Sequence, residues 1–407
     1  MQAEVLDRVP LLDAVTVEWE EAVGRALAAP VDAPEDLPGF ENSAVDGFAV
    51  LAADTATVPV ELVVVDDVPA GAPPTVSVEH GAAVRIMTGA PIPDGADAIV
   101  PVEATEPRGA DRVRILAPAA RGANIRPVGG SLREGARVFG AGIRLRPPHV
   151  AVLASMGLRP PVRRRPIVAL MSTGDELVPP STQSLARGTV RDSNRTLLTA
   201  LLRELGAEVV DFGIVADRGD GFAREIDDAA KGADVVITSG GVSMGDYDVV
   251  KLSLRDRGSV DFWKIAMQPG KPFGFGTIGE AVFFGLPGNP VSVFVSFEQF
   301  VRPALLAMMG ARALFRERIP GTLADGVETN PEKAVFVRVT GGPGDDGRWT
   351  VTKAGGQSSN VLSALALADA LAVVPVGVGA VAPGGGVELE MIHRPEARTR
   401  KEVLGDR

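Results

Sequence analysis

The sequence predicts a multidomain protein built of α/β and β parts, with a central domain of alternating strands and helices around a parallel sheet. Three observations lead there. Between Pro166 and about Gly310, short apolar runs alternate with segments whose apolar residues recur at helical spacing. Strands joined by crossover helices run parallel. On either side the texture changes to short apolar runs among turns, in a chain carrying 47 Gly and 32 Pro, which predicts β domains before and after. Finally, 407 residues are enough for two to four domains at roughly 100–200 residues each.

In chain order, residues 16–29 read as a helix with an acidic first turn, ended by Pro30. Residues 61–65, 98–102 and 112–116 read as strands of a small β domain running from about Val31 to Arg137. Residues 147–157 form a short helix with Pro at its start. Residues 167–171 are a continuous apolar strand. Leu197, Leu198, Leu201, Leu202 and Leu205 then share one helical face, with Asp192 and Ser193 as cap candidates and Gly206 just past the end. A strand over 208–215 follows, then a helix over Phe222, Ile226, Ala229 and Ala230 stopped by Gly232. A strand over 234–238, a Gly-rich turn and a third helix over Val249, Val250, Leu252 and Leu254 complete the crossovers. Another strand is expected at 281–286, a helix from Pro290, and a small β-barrel-like domain from Ile319 onward. No internal repeat is visible.

Composition closes several functional classes. The absence of cysteine excludes disulfide frameworks, Cys-ligated zinc or iron–sulfur sites and thiol nucleophiles. Three scattered histidines (His80, His149, His393) leave little for an imidazole metal site. A net charge of −11 argues against a general nucleic-acid partner, whose affinity comes from neutralising phosphates. A small polyanionic substrate needs basic groups gathered locally. The first ten residues carry acids and no apolar stretch of a signal peptide. The charge-poor stretches 281–297 and 370–387 are split by Pro and Gly, so no membrane span and a cytoplasmic location are expected.

Several motifs compete for the chemistry. Residues 274–279 match the dinucleotide pattern GxGxxG, but that motif needs a helix directly after it, and here another strand is expected, so the match is a coincidence. Residues 241–245 match GxSxG around Ser243, in the right strand–turn–helix context for a serine hydrolase. The triad would need His393, in an Arg-rich tail beyond a separate β domain, which counts against it. The same turn, 238–243, has a better use as a cup of backbone N–H groups for an anion. Asp246 and Asp248 follow as helix caps or as oxygen ligands for Mg²⁺. Residues 172–177 (STGDEL) put two acids at a strand's carboxyl end, where sites lie in such folds. Lys264 and Lys271 flank the Pro-framed turn 267–272, and 286–292 (LPGNPVS) opens a helix, together a candidate oxyanion cradle. Upstream, Asp46 and Thr88 sit in polar turns at 41–50 and 85–99.

Taken together, NSAVDGFAV (42–50), RIMTGAPIPDGADAIV (85–100), NIRPVGG (124–130), STGDEL (172–177), TSGGVSMGDYD (238–248), FWKIAMQPGKP (262–272), LPGNPVS (286–292), FVRV (336–339) and GGQSS (355–359) resemble the molybdopterin molybdenumtransferase family, which includes the E domain of gephyrin. The resemblance runs over nearly the whole chain in order. It implies an irregular elongated domain (1–33 with 138–164), a β domain (34–137), a molybdopterin-binding-like α/β domain (165–312) and a C-terminal β-barrel-like domain (313–407). It implies a homodimer with active sites at the subunit interface, and insertion of molybdate into adenylylated molybdopterin with Mg²⁺, releasing AMP. The upstream molybdopterin adenylyltransferase is then an expected partner.

By the same resemblance Glu176, Asp246, Asp248 and Asp217 hold metal or water, and Asp46 and Thr88 reach in from the β domain of the partner subunit. Lys271, Pro272, Ser292, Arg338 and Ser359 form the molybdate pocket, supported by Lys264. Gly240, Gly241 and Ser243 hold the phosphate or pterin side, with Gly288 and Asn289 in the adjoining turn. Two positions depart from the family: Gln268 stands where Lys is frequent, and Gly130-Ser131 where an acidic pair is frequent. The alternatives are a catalytically silent scaffold of the same family, since gephyrin uses this fold for interaction, and a hydrolase acting through Ser243.

Overall fold

The computed structural model describes residues 1–215, 221–241, 254, 258–344 and 346–393, and the chain forms two compact units. One unit comprises residues 29–141 and 147–160. Its sheet contains β1 (Gly47–Val50), β2 (Val60–Val68), β3 (Ala82–Ile86), β4 (Ala98–Pro101), β5 (Thr105–Arg108) and β6 (Arg112–Ile115), in the order β4-β1-β3-β2-β6-β5. Successive side chains on a strand face opposite ways, so Ala49, Val84 and Ile99 enter one apolar cluster while Val50, Ala83 and Val100 enter another. The expected strands at 61–65, 98–102 and 112–116 are all present. Gly47 is required here, because a Cβ would lie 2.1 Å from the Val100 carbonyl oxygen of the neighbouring strand. The expected helix is α1 (Pro147–Ser155). Its His149 packs edge-on against Phe139 with ring centroids 5.1 Å apart, a structural role for that histidine.

The other unit comprises residues 1–28, 142–146 and 161–407. Its central sheet holds β7 (Ile167–Thr173), β8 (Glu208–Val215), β9 (Val235–Ser239), β10 (Gly258–Lys264), β11 (Pro272–Ile278) and β12 (Ala281–Leu286), in the order β8-β7-β9-β12-β11-β10. The first four strands are parallel, as expected. Helix α2 (Ser193–Leu205) starts with an Asp192 carboxylate accepting from the Arg195 N–H and ends at Gly206 with φ +96°, the cap and stop expected for a helix. Helix α3 (Gly221–Gly232) also ends where glycine predicts. Leu254 of the expected third helix is helical and buried; its other named residues, 249, 250 and 252, lie outside the described residues.

Two strands depart from the expected parallel sheet. β11 runs antiparallel to β12, and β10 antiparallel to β11. β10 is an edge strand with mostly exposed residues and β11 is glycine-rich, so both have weak strand signals. The GxGxxG stretch lies along β11 and into its hairpin turn. A Cβ at Gly276 would meet the Ser259 oxygen at 2.0 Å, and Gly279 takes φ +58°. These glycines serve strand contact and a turn, as the dismissal of the motif expected.

A second correction concerns residues 16–29. Only Trp19–Ala22 is helical. Gly24 turns the chain at φ +82°, and Ala26 and Leu27 form bridges to Arg144 and Val162. Backbone pairing outweighs the helix propensity of an alanine-rich stretch.

Helix α4 (Pro290–Met308) is mostly apolar, and 89% of an 18-residue window of it is buried, the mark of a core helix. It is the one helix among the described residues long and apolar enough to cross a membrane. Its middle turn, Phe297–Val301, is a π-helical widening. The C-terminal part is a closed barrel of β13 (Arg318–Leu323), β14 (Ala334–Pro343), β15 (Trp349–Lys353), β16 (Ala370–Val374) and β17 (Gly385–Met391). It runs β14-β15-β13-β17-β16, and β16 pairs back to β14. Residues Met267–Gln268 pair in parallel with β14, which fastens the turn before Lys271 to the barrel.

Candidate active site

The first cavity, about 740 Å³, opens over the carboxyl ends of β7 and β9, beside the start of α2 and the turn before α4. This is where ligands lie on parallel sheets. Gly240, directly after β9, has φ +92°, and a Cβ there would lie 2.4 Å from the Thr173 oxygen. Only glycine lets the two strand ends approach this closely. Its N–H donates to the Leu286 oxygen at 3.1 Å. The expected cup of free amides therefore loses that member to the sheet, while Gly240 and Gly241 still line the wall. Glu176, exposed, sits on the rim, its carboxylate over Gly174.

Beneath the cavity lies a polar floor. Thr173 lines the cavity, and its hydroxyl, like those of Ser172 and Thr238 on the same two strands, is buried and unpartnered. Asn194, in the first turn of α2, donates Nδ2 to Ser239 Oγ at 3.0 Å and to the Gly288 oxygen at 2.6 Å. A reversed amide would set oxygen against the Gly288 carbonyl, so the orientation is fixed by chemistry. Asn194 thus ties three cavity-forming segments together, and its Oδ1 is buried without a partner.

The second cavity, about 480 Å³, lies between the 267–272 turn and the barrel. Pro272 and Ser292 line both cavities. Lys271, Ser359 and Arg338 line the second. Arg338, on β14, is 1% exposed. Its Nη2 donates to the Gly356 and Ser358 oxygens at 2.9 and 3.3 Å, while Nε has no partner. No carboxylate among the described residues pairs with it, and burial pulls its pKa down. A buried cation without a counter-charge is costly unless an anion arrives. Gln357 braces the backbone: its Oε1 accepts from the Arg338 N–H at 3.0 Å and its Nε2 donates to the Arg338 oxygen at 3.1 Å. The Val291 N–H donates to the Ser359 oxygen at 3.1 Å, joining the start of α4 to this wall.

The structure therefore gathers Glu176, Gly240, Gly241, Gly288, Asn289, Pro272, Ser292, Lys271, Arg338 and Ser359 around two adjoining cavities. Lys264 ends β10 opposite Pro272 but lines neither cavity. Asp217, Ser243, Asp246 and Asp248 lie outside the described residues. Asn194 and Gln357 were missed: each is an ordinary amide whose role follows from partners distant in sequence. In the other unit, Asp46 Oδ1 accepts from both the Thr88 N–H and hydroxyl at 2.7 Å. The backbone bond, then the hydroxyl, hold its pKa below the usual carboxylate range.

Family comparisons cover most of the chain. The MoeA N-terminal region (domains I and II) matches residues 1–157. A family described as a probable molybdopterin binding domain matches residues 169–307, and the MoeA C-terminal region (domain IV) matches residues 320–392. Molybdopterin molybdenumtransferase 2 of Mycobacterium tuberculosis is 40% identical over 91% of this chain and 93% of its own length. Molybdopterin molybdenumtransferase of Haemophilus influenzae is 35% identical over 96% of each. The crystal structure of the molybdopterin biosynthesis moeA protein from Pyrococcus horikoshii OT3 superposes with a TM-score of 0.81 at 29% identity, covering 96% of this chain and 98% of that one.

Proposed function

The chain belongs to the molybdopterin molybdenumtransferase family, and from that premise we propose that its joined cavities insert molybdate into adenylylated molybdopterin, releasing AMP with Mg²⁺ as cofactor. As a family member it is a transferase acting in molybdenum cofactor biosynthesis. One observation carries the finer reading: an organic-ligand-sized cavity at the strand ends meets, at Pro272 and Ser292, a smaller one holding a buried and unpaired guanidinium. The reaction needs such a pair of neighbouring sites, one for a phosphate-bearing pterin and one for a tetrahedral oxyanion.

In this reading Arg338, Lys271, Ser292 and Ser359 receive molybdate. The planar guanidinium and the lysine neutralise its charge so that it approaches the equally anionic partner. The pterin dithiolene supplies the sulfur ligands, so the chain's lack of cysteine costs nothing. Gly240, Gly241, Gly288 and Asn289 shape the wall against which the phosphate and pterin lie, and Asn194 fixes that wall. Release of AMP breaks the bond between the adenylyl phosphorus and the molybdopterin phosphate, with water or a molybdate oxygen attacking phosphorus. Positioning and charge neutralisation then supply most of the catalysis.

No three acidic or imidazole groups converge as a metal site among the described residues. Glu176 nevertheless fits a hard cation, beside buried hydroxyl oxygens and no thiol. Glu176 would hold Mg²⁺ together with the proposed Asp217, Asp246 and Asp248. When bound, the ion would neutralise phosphate charge. Lys264 acts on this site only as a nearby charge. Asp46 and Thr88 belong to the site of the partner subunit in a homodimer, and the four-part domain division given above is the proposed frame. The upstream adenylyltransferase supplies the substrate, and the work is done in the cytoplasm without nucleic acid or membrane.

The test mixes purified protein, adenylylated molybdopterin, molybdate and Mg²⁺ and follows AMP. Molybdate-dependent AMP release is expected; its absence overturns the reading. Mixing Asp46→Asn with Arg338→Gln chains should restore turnover if the sites are shared between subunits, and no restoration removes the shared-site arrangement alone.

A further inference from the structure

Beside the middle of α4 lies a third, small cavity of about 120 Å³, lined by Phe297, Glu298 and Arg302 of that helix. Arg144, Arg302 and Arg316 converge on it, with Glu204 and Glu298. The charges do not balance. Glu298, whose side chain is fully buried, is taken by Arg316 through two hydrogen bonds of 2.9 and 3.0 Å. Arg302 approaches the same carboxylate only at 3.7 Å and spends one N–H on the Leu314 oxygen at 2.9 Å. Arg144 has no carboxylate partner among the described residues; its Nε donates to the Gly24 oxygen at 3.0 Å. Glu204 is exposed at the mouth. Burial lowers the pKa of both Arg144 and Arg302; at Arg302 the pull of Glu298 opposes this, Arg316 and Arg144 add to it, and Glu204 opposes it more weakly. Two partly buried cations therefore face a polar void with one glutamate already committed and the other in water.

We propose that this cavity binds one small inorganic anion, of phosphate or chloride class, between Arg144 and Arg302, separate from the substrate's oxyanion pocket. The volume admits a single tetrahedral or spherical ion and is far too small for a nucleotide or pterin. Partly buried guanidiniums lower their cost by finding a counter-charge, and the N–H groups of an arginine fork match oxyanion geometry. Such an ion would bridge the 142–146 segment to α4. It thereby steadies the helix whose first turn carries Ser292.

The experiment uses the full chain with Arg338→Gln and Lys271→Ala, so that the substrate pocket has lost both of its cations. Equilibrium dialysis against radiolabelled inorganic phosphate, at constant ionic strength, should find one saturable site per chain, displaced by excess chloride if the two share it. Adding Arg144→Gln should weaken phosphate binding about tenfold, the loss of one charge-assisted contact. No saturable site in the first chain, or unchanged binding after Arg144→Gln, overturns the proposal. If Arg144→Gln does not fold, Arg144→Lys replaces it: weaker binding sustains the site, because the fork is lost while the charge stays, and unchanged binding counts against it.

Discussion

Arg338 and Arg316 make an instructive pair, both partly or wholly buried in the C-terminal region of one unit. Arg316 has Glu298 at 2.9 Å, and that carboxylate, together with its hydrogen bonds, raises the arginine's pKa. Arg338 has carbonyl oxygens and, among the described residues, no carboxylate, and burial lowers its pKa. Folding has completed the first charge and left the second waiting for one. The π-helical turn of α4 sharpens the contrast. It points Glu298 to Arg316 and the next residue, Gln299, to Glu390, whose other oxygen holds Arg318. The middle of α4 thus closes a set of charges, while its first turn borders two cavities.

The largest effect should come from breaking the closed set. Glu298→Leu leaves Arg316 buried without its partner, and removing one member of such a pair costs about 3–5 kcal/mol. Chemical denaturation of the variant checks this. A loss below about 1 kcal/mol would mean that the pair is worth no more than a surface contact. The open charge should behave in the opposite way. Arg338→Gln removes a cation that folding never paired, so stability should hold or rise while turnover falls about 10²–10³-fold, as for loss of a preorganised anion contact. If denaturation shows Arg338→Gln to be as damaging as Glu298→Leu, the distinction between the two arginines fails.

A smaller effect is expected at Asn194, which carries no charge but joins three cavity segments. Asn194→Leu leaves Ser239 and the Gly288 carbonyl unsatisfied at a cost of about 1–3 kcal/mol. Turnover should drop about tenfold to a hundredfold, chiefly through weaker pterin binding if the wall shifts. Asn194→Asp keeps the shape but has no N–H to donate and sets a carboxylate oxygen against the Gly288 carbonyl, so it should recover none of the loss. Full turnover in Asn194→Asp would mean that donation to Ser239 and Gly288 does not position the wall.

The sequence made the parallel strands, the capped helix at 193–205 and the C-terminal barrel legible, since each follows from local periodicity, caps and turns. It also pointed to Glu176, Lys271 and the LPGNPVS turn by chemistry alone. The roles of Arg338 and Ser359 came from resemblance, because nothing in FVRV or GGQSS marks a buried guanidinium. The antiparallel edge at 258–278 was hidden, because glycines chosen for strand contact look like a loop. Asn194 was hidden for another reason: its importance lies in Ser239 and Gly288, which reach it only after three crossovers have folded. The alanine-rich stretch after Trp19 misled through propensity, which backbone pairing to Arg144 and Val162 overrode.

The smallest expected effect lies in the other unit, where a third arrangement appears: a fully exposed charge held by hydrogen bonds. Asp46 is stabilised as carboxylate first by the Thr88 N–H and second by its hydroxyl. A lowered pKa keeps Asp46 ionised at neutral pH, and whatever it contributes is lost only as pH falls through that lowered value. Thr88→Val deletes the hydroxyl and keeps the stronger backbone bond, so the Asp46 pKa should rise but not return fully. The acid limb of the kcat/KM profile should then move to higher pH, with turnover near neutrality almost unchanged. Asp46→Asn, by contrast, should lower turnover at every pH. An acid limb that stays in place in Thr88→Val would separate Asp46 from the titrating step and leave the pair a structural clasp.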